Sequence, residues 1–203
     1  MLQEDRWIYA PYLIFDARRI LAGLRSFSDR VHANAYSIPS VAIELGVPVA
    51  FQEDRTRESF GGCFRDDAGM VIRLNDQMEN TLYAMAALTH ELGHAIRDDV
   101  SPLCRGSLRK QAERDAWLRG IYIAISRPLA EAVWNGETTT QEVATRCCVP
   151  TLIVEARVGL AVTLGEVEGY APAAYEMIAE QLLQLEQWFE DGRRHGFRAH
   201  VEA

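Results

Sequence analysis

The sequence predicts an α+β protein that is mostly helical and contains a small sheet of about three strands. Several stretches repeat apolar residues at the helical period, and three short runs rich in β-branched and aromatic residues fall together between residues 47 and 75. A chain of 203 residues with 48% hydrophobic content is long enough for one ordinary core. We expect a core domain over residues 1–135 and a helical extension over 136–203. One continuous domain is the alternative.

Two helices are predicted before the sheet. Over Ala10–Phe27, apolar residues recur at helical spacing and predict one packed face. Pro39 then interrupts the chain. Ser40 is a suitable cap for a short helix over Val41–Leu45, which Gly46 ends.

The three runs that follow read as strands. They are Val47–Phe51, Phe60–Phe64 and Met70–Asn75. The segment Asp66–Gly69 has the aspartates and glycine of a hairpin turn, so it should join the second strand to the third.

The most informative stretch is Thr89–Ala95, because it contains the pattern H-E-x-x-H. Residues four apart on a helix lie about 5–6 Å apart at Cβ, so the imidazoles of His90 and His94 can reach one metal ion. Glu91 lies to one side of that face, where a carboxylate can take a proton from zinc-bound water. The motif therefore predicts a zinc metallopeptidase with Glu91 as its base.

The residues around the motif favour a helix. Alanines separate apolar residues that fall opposite the two histidines, namely Leu82, Met85, Leu92 and Ile96. A small sheet directly before such a helix is the zincin arrangement, in which an edge strand can hold an extended substrate beside the metal. We therefore expect a zincin-like fold.

The rest of the chain is predicted to be helical. Pro102 and Gly106 predict a loop over Asp98–Gly106. The helices expected after it are Ser107–Ile125, Pro128–Trp134, Thr140–Cys147, Pro150–Val158 and Ala171–Arg194. The third and fourth of these form a pair that resembles a small helix-turn-helix.

A catalytic zinc site needs three protein ligands and one open position, so a third ligand must come from outside the motif. An H-E-x-x-H-x-x-G-x-x-H site is excluded, since Arg97 and Val100 occupy the glycine and third histidine positions. The remaining histidines are far away in the sequence. A carboxylate on the next long helix is the better source.

Glu113 is the preferred carboxylate on that helix. Ala116 and Gly120 lie on its own face, and such small residues would let two helices approach closely. Asp115 is the competing carboxylate, and Gln111 lies one turn before it.

These pieces, in this order, resemble the ImmA/IrrE family of HExxH metallopeptidases over roughly residues 38 to 158. The matching segments are Ile38–Val47, Gly61–Phe64 with Val71–Asn75, Leu88–His94, Glu113–Trp117 and Val143–Val158. The resemblance implies His90, His94 and Glu113 as zinc ligands and Glu91 as the base. It also implies regulated cleavage of a helix-turn-helix transcriptional repressor, in phage induction or a stress response.

The chain departs from the family pattern in three places. Ala84–Ala86 stand where an arginine and an aromatic are usual, and Thr89 replaces a commoner alanine. Trp117 also allows a second register, in which the ligand position would fall on Gln111. Glutamine is a poor zinc ligand, so that register would remove catalysis.

The net charge, the cysteine spacing and the targeting signals indicate which partners and which cellular compartment to expect. A net charge of −8 argues against a broadly basic nucleic-acid surface, so direct DNA binding is not expected. The four cysteines form no C-x-x-C pair, which predicts reduced and mostly buried thiols. Without a signal peptide or a membrane-spanning run, we expect a cytoplasmic protein. A non-catalytic zincin-fold regulator or partner-binding protein is the competing interpretation.

Overall fold

The computed structural model describes residues 17–197 apart from positions 19, 22, 54–59, 68, 98–106, 170 and 196. The described part is a mixed α+β structure that is mostly helical, with eight α-helices and one three-stranded sheet. The predicted fold class is confirmed at this level.

The elements follow the chain in a simple order. The strands are β1 (Val49–Gln52), β2 (Gly61–Asp66) and β3 (Gly69–Asn75). The helices are α1 (Leu24–His32), α2 (Ile38–Glu44), α3 (Leu82–Arg97), α4 (Ser107–Ala124), α5 (Arg127–Trp134), α6 (Thr140–Cys147), α7 (Thr151–Leu164) and α8 (Ala171–His195). A 3₁₀ turn over Asp76–Met78 joins β3 to α3.

The first helix differs from its prediction. The expected helix Ala10–Phe27 begins outside the described residues, and Gly23 interrupts it with φ 85. Helix α1 starts directly after this left-handed glycine and continues to His32. Val31, which is 4% exposed, carries the buried face beyond the predicted end.

Helix α2 begins earlier than predicted. Ser37, with an extended backbone, is its N-cap, and Ser40 lies three residues into the helix as the second member of a capping box. Pro39 is accepted in the first turn because the backbone N–H that it lacks would have no partner there. The choice of Ser40 as cap was therefore wrong. Gly46, with φ 65, lies just beyond the end of the helix as expected.

The sheet has the strand order β1-β3-β2. β2 and β3 form the predicted antiparallel hairpin, while β1 pairs with β3 in parallel. β3 is therefore the central strand, and β2 is at an edge of the described sheet. Ile72 and Leu74 of β3 are 0% and 2% exposed, so this strand supplies the sheet's buried face.

Helix α7 is the most buried helix in the described part of the chain. Most of its residues are buried, and it packs against α4, α5, α6 and α8. A recognition helix presents an exposed face to DNA, whereas α7 buries every residue over Ala156–Thr163. The hydrophobic core contains residues from both sides of residue 135.

The buried arginine of α7 forms an ion pair with a nearby carboxylate. Arg157 is 0% exposed and lies 2.8 Å from the carboxylate of Glu166. Tyr122 donates a hydrogen bond of 3.0 Å to the other oxygen of Glu166. The network joins α4 and α7 to the turn that follows α7.

Three cysteines are described, and all three are free thiols. Cys147 is buried and Cys63 is half-buried, whereas Cys148 is exposed. Cys104 lies outside the described residues. None of the described helices is by itself long and apolar enough to cross a membrane; α6 and α7 reach that length and composition only together, bent by 110°.

Candidate metal centre

Helix α3 presents the motif residues on its less buried side. Leu88 and Leu92 are 2% and 0% exposed and pack into the core. The side chains of His90 and His94 are each 13% exposed. The amphipathic pattern of the sequence therefore places both imidazoles at the rim of the core, where a metal can reach them.

Helix α4 crosses α3 at very short range. A Cβ on Gly93 would lie 1.9 Å from the carbonyl oxygen of Ala116, and one on Gly120 would lie 2.0 Å from that of Thr89. No side chain fits at either point, so the two backbones are in contact. The small residues near Glu113 thus allow the close approach that the sequence predicted, and this contact places α4 beside the histidines.

The crossing brings His90, His94 and Glu113 together. The Nε2 atom of His90 lies 3.0 Å from Glu113 Oε2 and 3.2 Å from His94 Nε2. The third distance, from His94 Nε2 to Glu113 Oε2, is 3.6 Å. These three side chains are the group of possible metal ligands in the described part of the chain.

The distances between the three donor atoms fit an ion with tetrahedral coordination. Ligand atoms about 2.0–2.1 Å from a tetrahedral centre lie about 3.3–3.4 Å from one another. The observed separations of 3.0, 3.2 and 3.6 Å bracket this value. Around such an ion, these three donor atoms would occupy one face of the coordination tetrahedron.

Glu113 carries the negative charge of the site. Hydrogen bonding by His90, and then by His94, holds the pKa of Glu113 well below its usual range. Its side chain is 46% exposed, so the carboxylate also remains partly hydrated. An ionised oxygen beside two imidazoles is a suitable donor set for a divalent cation.

Asp115, the competing carboxylate, points elsewhere. It is 3% exposed, and its oxygens lie 3.7 Å from Arg114 and 3.8 Å from Arg119. Arg119 also donates to the carbonyl of Gly93 at 3.4 Å. Asp115 therefore supports the contact between α4 and α3. The side chain of Gln111 lies outside the described residues.

Glu91 belongs to the site without joining the ligand group. It is 8% exposed, and this burial raises the pKa of its carboxyl, although the neighbouring histidines partly oppose the shift. The carboxylate accepts a hydrogen bond from the backbone N–H of Cys63 on β2. Glu91 thus lies between the histidines and the sheet.

The contact with Glu91 identifies the edge of β2 that faces the site. Asn75 donates to the carbonyl of Phe60 at 3.1 Å, which fixes the alternation of hydrogen-bonded pairs along the hairpin. In this register Gly61, Cys63 and Arg65 turn their main-chain groups away from β3. The edge of β2 that faces away from β3 therefore runs past Glu91.

Trp117 is a neighbour of the site, although the sequence pattern indicated only its effect on the register of the ligand position. Its ring centroid lies 4.7 Å from that of His90, with an interplanar angle of 42°. It follows Glu113 by four residues, so both side chains lie on one face of α4. This spacing was the signal in the sequence that could have placed the indole at the metal centre.

The chain matches no protein-family model, no curated protein and no solved structure. The assignment of a function therefore depends on the geometry of this site and on the sequence pattern.

Proposed function

We propose that the protein is a zinc-dependent endopeptidase of the gluzincin type. The observation that carries the proposal is the group formed by His90, His94 and Glu113, with the buried Glu91 beside it and outside it. A structural zinc site would use four protein ligands, whereas a catalytic site keeps one position for water or substrate. Three ligands and a neighbouring base fit the catalytic pattern.

The donor types favour zinc among the common divalent ions. Two imidazoles and one carboxylate suit a borderline ion, while calcium and magnesium prefer sites made of oxygen atoms. When bound, zinc supplies a Lewis acid that polarises the carbonyl of the substrate and makes nearby water more acidic.

Glu91 performs the proton transfers. Its carboxylate takes a proton from the attacking water, the new C–O bond forms at the peptide carbonyl, and the proton then passes to the leaving amine as the C–N bond breaks. Burial raises the pKa of Glu91, which strengthens it as a base. The N–H of Cys63 keeps the carboxylate in place between these steps.

The edge of β2 that runs past Glu91 is the proposed binding position of the substrate. An extended peptide can lie along this edge strand, held by main-chain hydrogen bonds. Its carbonyl would then pass Glu91 and the ligand group. Only an unfolded segment can add in this way, so the scissile bond should lie in a loop or linker of the target.

The proposed target is a helix-turn-helix transcriptional repressor, cleaved in phage or stress regulation. The resemblance of the ordered motifs to the ImmA/IrrE family supports this choice. A peptidase that works among cytoplasmic proteins must be selective, and docking of one partner provides that selectivity.

Incubation with zinc and a repressor encoded near the gene tests the proposal. The repressor should be cut at one linker site, while an unrelated unfolded protein should remain largely intact. Glu91→Gln protein loaded with zinc is the matched control and should cut neither. Equal degradation of both proteins would defeat the selective role, and an intact repressor would favour the non-catalytic alternative.

A further inference from the structure

One ring nitrogen of His90 is arranged unusually for a metal ligand. Its Nε2 faces Glu113 and His94, but its Nδ1 is buried and has no hydrogen-bond partner among the described residues. A histidine that binds a metal almost always donates its second N–H to an acceptor, which fixes the tautomer and the plane of the ring. Within the described residues, a contact other than a hydrogen bond to Nδ1 therefore has to fix the plane of the His90 ring.

Trp117 makes that contact. The indole and the imidazole lie 4.7 Å apart between centroids, at an angle of 42°, which is a tilted aromatic pair. Rotation of the imidazole about its Cβ–Cγ bond would drive it against the indole. Glu113 and Trp117 are one turn apart on α4. The same helix therefore supplies a metal ligand and an aromatic ring that packs against His90.

The indole is itself supported by the C-terminal helix. Its centroid lies 6.0 Å from that of Phe189 on α8, a residue that is 5% exposed. Phe189 lies 4.6 Å from Phe60, which directly precedes β2. The indole that packs against His90 is therefore part of a buried aromatic cluster and cannot easily move away.

We propose that Trp117 is a positioning residue that orients the imidazole of His90 by packing and so increases the metal affinity of the site. The inference rests on the metal site of the proposed function. It adds that an aromatic contact does the work usually done by a hydrogen bond to Nδ1.

The test compares Trp117→Ala with Trp188→Ala. Trp188 is in the same aromatic cluster, stacked 3.9 Å from Tyr83 and 5.5 Å from Phe189. Both substitutions remove an indole from the cluster, but only one removes the contact with His90. Zinc affinity, measured by competition with a chelator, should fall about 10- to 100-fold in Trp117→Ala, the range typical of lost supporting contacts. Trp188→Ala should bind zinc like the wild type.

Spectroscopy and rescue separate positioning from general destabilisation. The visible absorption of bound Co²⁺ reports ligand geometry, and it should change in Trp117→Ala but not in Trp188→Ala. Trp117→Phe should restore most of the affinity, because it keeps an aromatic face. If Trp117→Ala does not fold, Trp117→Leu keeps the apolar volume and should show the same loss of affinity.

Two results would overturn the inference. One is an unchanged zinc affinity and Co²⁺ spectrum without the indole, and the other is an equal loss in both tryptophan variants. Failure of the proposed site looks different, since wild-type protein would then bind no zinc, or His90→Ala would bind it as tightly as the wild type.

Discussion

The carboxylate of Glu113 lies 3.0 Å from the Nε2 atom of His90, although the two residues are 23 positions apart in the chain. The crossing of α3 and α4 at Gly93 and Gly120 produces this contact. The metal centre therefore depends on the packing of two helices as well as on the local motif.

We expect the purified protein to carry about one zinc ion per chain, because His90, His94 and Glu113 complete a three-ligand site. His90→Ala and His94→Ala should lose the ion, since each removes one of the two imidazoles. His195→Ala, an exposed histidine near the end of α8, is the matched control and should retain it. Metal analysis of the untreated protein provides the measurement, and metal-free wild type would contradict the site.

Glu113→Ala should weaken zinc binding more than about 100-fold, beyond the 10- to 100-fold effect of supporting residues. Asp115→Asn should retain the metal but lower the free energy of unfolding by about 3–5 kcal/mol, because it removes a carboxylate beside the buried Arg119. Chelator competition and denaturant unfolding measure the two quantities. Loss of zinc in Asp115→Asn, with zinc retained in Glu113→Ala, would instead identify Asp115 as the ligand.

Glu91→Gln should stabilise the metal-free protein at neutral pH. Burial raises the pKa of Glu91 in the folded state above its ordinary value of 4.5. Such a group contributes its full stability only below the pKa of the unfolded state, and that contribution is lost as the pH rises through the folded pKa. At pH 7 the substitution should therefore raise the free energy of unfolding by about 1 kcal/mol. The gain should shrink as the pH falls below about 4.5, where the glutamate becomes increasingly protonated in the unfolded state as well.

Denaturant unfolding across this pH range measures the gain, with Glu176→Gln on the exposed face of α8 as a control that should show none. A Glu91→Gln variant that is less stable than the wild type at pH 7 would mean that the buried carboxylate is stabilised by its contacts despite its burial.

Gly120→Ala should disrupt the helix crossing. The new methyl would lie 2.0 Å from the carbonyl oxygen of Thr89, so a backbone must move, at a cost of roughly 1–3 kcal/mol or more. Glu113 would move with α4, and zinc affinity should fall as well. In Gly62→Ala the atoms nearest the new methyl belong to the ring of Phe64, which is exposed and can rotate away, so this variant should be nearly neutral. Thermal unfolding and zinc titration of both variants measure the two effects. Equal stability and equal zinc affinity in the two variants would contradict the role of the crossing.

Local signals in the sequence were sufficient for most helices. Thr140–Cys147 is found where it was predicted, because the capping box of Thr139 and Glu142 marks its start. The start of helix α2 was predicted three residues too late. Two serines compete for its N-cap, and the choice between them depends on the backbone conformation. The parallel pairing of β1 with β3 joins strands that are not neighbours in sequence, and no local pattern specifies it.

The site was predictable to the extent that it is local. H-E-x-x-H lies on one helix, so His90, Glu91 and His94 follow from its periodicity alone. The choice between Glu113 and Asp115 depends on the rotation of α4, since residues two apart are related by a rotation of about 200° and so point to nearly opposite sides of the helix. The role of Trp117 requires knowledge of where α3 lies, which is a property of the packed structure.

The most direct test of the central claim is peptide-bond hydrolysis by zinc-loaded protein. Wild type and Glu91→Gln should bind zinc equally, because Glu91 is not among the ligands. Only the wild type should cut the repressor, and removal of zinc with a chelator should abolish the cut until zinc is restored. Cleavage by a zinc-loaded Glu91→Gln protein, or by metal-free wild type, would contradict the account.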